Sequence, residues 1–105
     1  MAFTNTTGRY ASFGIITSLP GNTIDSIWYI IDNYLKDVIP LKNIITFRLK
    51  NNKGKISLTF SQAQYPNVIT VDLDKAFDPF YPHTIIVVDR NGKETIALPD
   101  ELSIL

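Results

Sequence analysis

Apolar residues recur along this chain with two different periods. Between Asn22 and Ile39, the residues Ile24, Ile27, Trp28, Ile31, Tyr34, Leu35 and Val38 fall three and four positions apart, with Asp25, Asp32, Asn33 and Lys36 between them. That spacing predicts one helix over residues 22–39 with a single apolar face. Such a stripe has to be buried against another element, and the flanking segments read as strands. The helix is therefore expected to lie on a sheet, with Trp28 near the centre of the core. Pro20 and Gly21 break the chain ahead of it, Asn22 or Thr23 is placed to cap it, and Pro40 disfavours helical geometry at Ile39.

Elsewhere the period is two. Ile45, Phe47 and Leu49 alternate with Thr46, Arg48 and Lys50, and Ile56, Leu58 and Phe60 alternate with Lys55, Ser57 and Thr59. Asn51, Asn52, Lys53 and Gly54 between the two runs tolerate positive φ, so residues 44–61 predict a hairpin with a four-residue connection. Residues 9–17 have the β-branched and aromatic content of a strand, with Ala11, Phe13 and Ile15 on one face. Gly14 there marks a bulge or a close backbone approach. Residues 68–73 set Ile69, Val71 and Leu73 on one face. Residues 84–89 are apolar on both, as expected of a central strand covered on both sides. Arg90, Asn91, Gly92 and Lys93 turn the chain into a last strand, and Pro99 can open a final helical turn. Residues 1–8 are polar and expected to fray, leaving residues 9–105 as one domain. The fold class expected is α+β, with one long helix packed on a mainly antiparallel sheet of five or six strands.

Composition narrows the class of protein. The 105 residues are 45% hydrophobic and 19% charged, a globular balance that one core can satisfy. No apolar stretch is long enough to span a bilayer and no secretory leader is visible, so the expected location is cytoplasmic. The net charge is zero, but it is sorted. Lys42, Arg48, Lys50, Lys53 and Lys55 lie in an interval from Val38 to Val71 that has no acid, whereas from Asp72 onward seven acids face three bases. In the hairpin register Arg48, Lys50 and Lys55 point outward together, making a basic patch.

Chemistry-bearing groups are sparse. With no cysteine and only His83 as imidazole, a structural zinc site is excluded. His83 as a general base or metal ligand has no second histidine beside it and no acid nearer in sequence than Asp78 and Asp89, so a loop histidine packed beside Pro82 is the plainer reading. Asp72, Asp74 and Asp78 lack the glycine turn and terminal glutamate of a calcium loop. The serines lie outside any strand-turn-helix nucleophile elbow, and the five dispersed glycines form no phosphate-binding loop. No cofactor is expected, and the chain is read as a non-enzymatic protein. Two features are candidates for contact with a partner. In residues 77–83, Phe77, Phe80 and Tyr81 are interleaved with Pro79 and Pro82 ahead of His83, and prolines hold aromatics as low-entropy anchors of the kind found at protein interfaces. Exposed faces of Tyr29 or Tyr65 would add to that surface. The basic hairpin is the second candidate. The expected partner-binding residues are thus Phe80, Tyr81 and His83 with Arg48, Lys50, Lys53 and Lys55. The alternative is nucleic-acid binding through hairpin residues 42–55. Against it, Phe47 and Phe60 point inward, away from the cations that stacked bases would need beside them. An edge strand would also allow homodimerisation.

A whole-chain resemblance is carried by Arg9-Tyr10, Phe13-Gly14-Ile15, Leu19-Pro20, Ile27-Trp28 and Ile31-Asp32. It continues through Leu41, Phe47, Leu49, Gly54, Ser61-Gln62, Tyr65, Val87-Val88-Asp89 and Leu98-Pro99-Asp100-Glu101. From Arg9 to Glu101 the chain resembles the family of Gram-positive bacteria called domain of unknown function 960. It departs from that pattern at Ala63-Gln64, where an acidic residue would stand, and in the proline-rich stretch 77–83. The resemblance implies no activity. What it implies is a small cytoplasmic helix-plus-sheet protein often carried by phages or plasmids. The function expected is that of a protein-interaction module, an accessory factor of a mobile element that binds and modulates a host protein.

Overall fold

A computed structural model describes residues 2–105. Six strands form one sheet: β1 (Gly8–Ala11), β2 (Ile44–Asn52), β3 (Lys55–Ser61), β4 (Ile69–Ala76), β5 (Thr84–Arg90) and β6 (Lys93–Ala97), in the order β1-β6-β5-β2-β3-β4. Every pairing is antiparallel except β1 with β6. The expected hairpin register is present, with Phe47 opposite Phe60 and Leu49 opposite Leu58. Its connection is tighter than expected, since Asn51 and Asn52 belong to β2. Lys53 and Gly54 alone make the turn, with φ of 53° and 88°, the two positive values of a type I′ hairpin. Asn91 and Gly92 do the same between β5 and β6.

Alternation sorts the side chains of the sheet onto two faces. Ile45, Phe47, Leu49, Ile56, Leu58, Phe60, Ile85, Val87 and Ile96 form the main core with Ile15, Leu19, Ile27, Ile30, Ile31 and Leu35 from the helical segments. On the opposite face Ile86, Val88 and Ala97 are covered by Leu102 of a 3-10 helix (Pro99–Ile104) and by Leu105 that follows it. Residues 84–89 are apolar on both sides because both sides of β5 are covered, as the sequence led us to expect.

The helical region differs from the expectation in length, phase and start. An α-helix α2 (Gly21–Ile30) runs directly into a π turn (Ile31–Leu35), in which Lys36 N donates to Ile31 O five residues back. Pro20 occupies the N-cap position, so neither Asn22 nor Thr23 caps it. The chain leaves helical geometry at Lys36, and Asp37 takes a positive φ of 65°, well before Pro40. The buried face is Thr23, Ile27, Ile30, Ile31 and Leu35. Trp28, expected at the centre of the core, lies on its flank, and Tyr34 and Val38 are exposed. The wider π turn inserts one residue into the repeat and rotates the following side chains away from the face that a 3.6-residue period extrapolates.

Residues 9–17 also divide. Strand β1 ends at Ala11, Ser12 caps the short helix α1 (Phe13–Ile16) by accepting from Ile15 N at 3.2 Å, and Phe13 is exposed. Gly14 is a site of close approach, as one of its two expected roles required. A Cβ there would lie 2.7 Å from Leu98 Cδ1. The segment ahead of β1, expected to fray, is tied down. Phe3 is fully buried, its N–H donates to Asp89 Oδ2 at 2.8 Å, and Ala2 N donates to Leu41 O.

The edge strand β1 is joined to the helical layer through one side chain. Glu94 on β6 has no solvent exposure, so its carboxylate must be met by donors within the protein. Arg9, opposite Glu94 in the β1–β6 register, donates from Nε to Glu94 Oε1 at 3.1 Å, and Thr6 Oγ1 donates to Oε2 at 2.6 Å. The far end of the same guanidinium grips both oxygens of Asp32 on the π turn, at 2.8 and 2.5 Å, and its Cζ lies 4.6 Å from the Trp28 ring centroid. The hydrogen bonds from Arg9 hold the Asp32 carboxyl below its ordinary range. Trp28 is therefore drawn to the rim of the core by a cation.

A second carboxylate closes the opposite layer. Glu101 Oε1 accepts from Ser12 Oγ at 2.5 Å and Leu98 N at 2.8 Å, and Oε2 accepts from Gly14 N at 3.2 Å. These donors, Ser12 first, lower its pKa. A carboxyl whose folded pKa is depressed contributes stability above its unfolded pKa and loses it as pH falls through the folded value. Glu101→Gln should therefore lower the urea midpoint at neutral pH. The difference between variant and parent should be fully present above about 4.3, the unfolded value for glutamate, and should shrink as the pH falls below it, vanishing only beneath the depressed folded value.

Candidate functional site

The structure brings the two sequence candidates to one end of the sheet. Strand β4 ends at Ala76, the loop 77–83 follows, and β5 begins at Thr84, which lies opposite Arg48 of β2. Phe77 N donates to Gly54 O and Leu49 N donates to His83 O, both at 2.9 Å, so the two ends of the loop are stitched to the hairpin. Between them lies an open groove of about 380 Å³ whose rim carries Arg48, Lys50 and His83. All three side chains are exposed, and none makes an ion pair among the described residues.

The remaining expected site residues separate. Lys53 sits at the hairpin turn, away from the lining of the groove. Lys55 turns to β4, where its Nζ lies 2.5 Å from Asp74 Oδ1. Its ammonium holds the Asp74 carboxyl below the usual range. Tyr81 is half-buried against the main core, edge-on to Phe77 with ring centroids 6.5 Å apart, and so acts inward as a brace. Phe80 is 93% exposed. Of the two tyrosines considered alongside the loop, Tyr29 is exposed and Tyr65 is half-buried.

Loop backbone geometry explains how Phe80 is held outward. Asp78 Oδ1 accepts from Phe80 N at 2.8 Å and Asp78 O accepts from Tyr81 N at 2.9 Å, an Asx-type turn with Pro79 fixing φ at its first central position. Asp78 is the residue that sequence reasoning missed here. The Asp-Pro pair is a turn signature, and that signal, rather than a carboxylate's acid or metal-binding chemistry, points to its role. No group of three or more metal-binding side chains comes together among the described residues. Phe47 and Phe60 are buried with ring centroids 6.0 Å apart, so no aromatic of the hairpin core stands beside the outward cations. Nor is any helix among the described residues long and apolar enough to cross a membrane. Asp78→Ala should free the loop. The Phe80 and Tyr81 amides should fall from order parameters near ~0.85 toward ~0.6 in NMR relaxation, while the thermal midpoint stays close to that of the parent.

Comparison with known proteins gives a family and one solved relative. A crystal structure of a protein of unknown function from Enterococcus faecalis is similar with a TM-score of 0.89 and 45% identity, over 90% of each chain. No curated protein matches the chain. A family model described as "Staphylococcal protein of unknown function" matches residues 8–101, which takes in all six strands, both α-helices and the Arg9, Asp32 and Glu94 cluster. The chain belongs to that family, domain of unknown function 960.

Proposed function

We propose that the protein is a non-enzymatic interaction module, a cytoplasmic accessory factor of a phage or other mobile element that binds and modulates a host protein. The observation that carries the proposal is Phe80, held almost fully exposed on a loop whose backbone is fixed by Asp78 and two prolines. Burying a phenylalanine on binding contributes about 2 kcal/mol, and a pre-ordered anchor loses little entropy on docking. Arg48, Lys50 and His83 on the neighbouring groove rim, with Lys53 at the hairpin turn, favour a partner with acidic groups around an apolar pocket. The mobile-element setting is what the sequence resemblance implies. In this reading Tyr81, packed edge-on to Phe77, supports the loop, and Lys55, paired with Asp74, has a smaller share of any contact.

The test is capture from a Gram-positive lysate with tagged protein, in nuclease-treated and untreated halves. A discrete protein should be retained in both halves. Its retention should fall by about tenfold or more with Phe80→Ala, the loss of one hot-spot residue. Arg48→Glu with Lys50→Glu should slow association and flatten or invert its dependence on salt. Capture of nucleic acid, with proteins lost after nuclease treatment and with the four cations 48, 50, 53 and 55 required, would contradict the proposal.

A further inference from the structure

We propose that the free edge of β4 receives an extended segment of a partner protein in which apolar and basic side chains alternate. The site is separate from the Phe80 surface and uses none of its residues. Strand β4 ends the sheet, paired only with β3. Its eight residues, Ile69–Ala76, contain no proline, and the protective features that edges carry, a lysine (Lys75) and a register shift against β3 between Lys55 and Ser57, fall toward its C-terminal end, leaving residues 69–72 in regular register. The backbone groups on its open side are left to solvent or to an added strand.

Both faces of the edge specify what would fit. On the helix side, Val71 and Leu73 are only half-buried because the sheet stops there. With Tyr29, Ile30 and Tyr34 of the helical segment they line a groove of about 160 Å³. Tyr29 and Tyr34 are 59% and 48% exposed and meet edge-on at 6.1 Å. An added strand would send every second side chain toward this groove, which suits an apolar residue. On the other face Asp72 and Asp74 follow one another and are exposed. Asp72 has no ion-pair partner among the described residues, and Asp74 is engaged by Lys55 through Oδ1 alone. The intervening side chains of an added strand would stand opposite these carboxylates, which suits lysine or arginine.

Charge also argues against a second copy of this chain as the occupant. The two antiparallel registers that pair most of β4 with itself centre on Asp72 or Leu73. The first sets Asp72 against Asp72, and the second sets Asp72 against Asp74 twice. Like charges directly opposite destabilise a strand pair.

The probe is a synthetic peptide of the length of β4 in which valine and lysine alternate, titrated into the isotopically labelled protein. Saturable binding with amide shifts confined to β4 and the Tyr29–Tyr34 groove is expected. Replacing the lysines by glutamate, or introducing Asp72→Lys with Asp74→Asn, should weaken it about tenfold, as two lost cross-strand charge pairs imply. Two further peptides, N-methylated at alternate residues in opposite phase, test strand addition on the unaltered protein. Only one phase faces β4, so one peptide should lose binding and the other keep it. Equal binding by both phases, shifts that map elsewhere, or undiminished affinity in the charge variant would overturn the proposal. So would self-association in sedimentation that the charge variant enhances, since that would give the edge to a second copy. Phe80→Ala should bind the peptide unchanged, which separates this site from the loop surface.

Discussion

A carboxylate with no access to water, Glu94 on β6, constrains much of this structure. A buried charge left without partners costs several kcal/mol, and Glu94 is answered from two directions. Arg9 comes from the neighbouring edge strand and Thr6 from the segment leading into it. Because the side chain is long and its guanidinium planar, its other edge reaches Asp32 while Cζ lies over the Trp28 ring. One side chain thus joins a four-residue edge strand, the central sheet and the helical layer. With Asp89 accepting from Phe3 and Gly92, it also explains why an N-terminal segment of polar composition runs over the end of β5 and β6. The π turn belongs to the same arrangement, since Asp32 is one of its five residues.

The strands were legible in the sequence where a period-two pattern or a short apolar run meets a residue that can adopt positive φ. Residues 44–61 and 84–97 meet that condition, and their pairing is found as read. The helix was legible as an element but not in its phase, because an extrapolated 3.6-residue period has no signal for a π turn and because Trp28 was counted by its hydrophobicity alone. Residues 9–17 misled for a related reason. Phe13, Ile15 and Ile16 have strand propensity, but Ser12 supplies a cap and Glu101 supplies acceptors for Ser12 and Gly14 from eighty-odd residues away. A contact so distant in sequence leaves no local trace.

The candidate contact surface was legible in pieces. Exposed aromatic and proline chemistry marked residues 77–83, and the acid-free interval marked the hairpin. That the two share a groove depends on β5 pairing with β2, a strand order that local pattern does not encode. Several positions that carry the family resemblance, among them Arg9, Trp28, Asp32, Gln62, Asp89 and Glu101, make long-range polar contacts or cation–π contacts in the fold. Gln62, for example, accepts from Lys42 N and donates to Pro40 O, clamping the connection into β2. Those residues secure the scaffold, whereas Phe80 and the β4 edge lie free on its surface. This division is what an interaction module needs: rigid elements carry loops and edges that are open to contact.

The central claim is that Arg9 stabilises the fold chiefly by satisfying Glu94, and a double-mutant cycle measures it most directly. Urea unfolding of Arg9→Met, Glu94→Leu and the double variant would give the coupling between the two side chains. The account predicts a loss of about 3 kcal/mol for Arg9→Met alone, with much of it recovered when the carboxylate is also removed. Additive losses, with Arg9→Met no worse than Asp32→Ala, would contradict it and leave Arg9 as a surface ion pair.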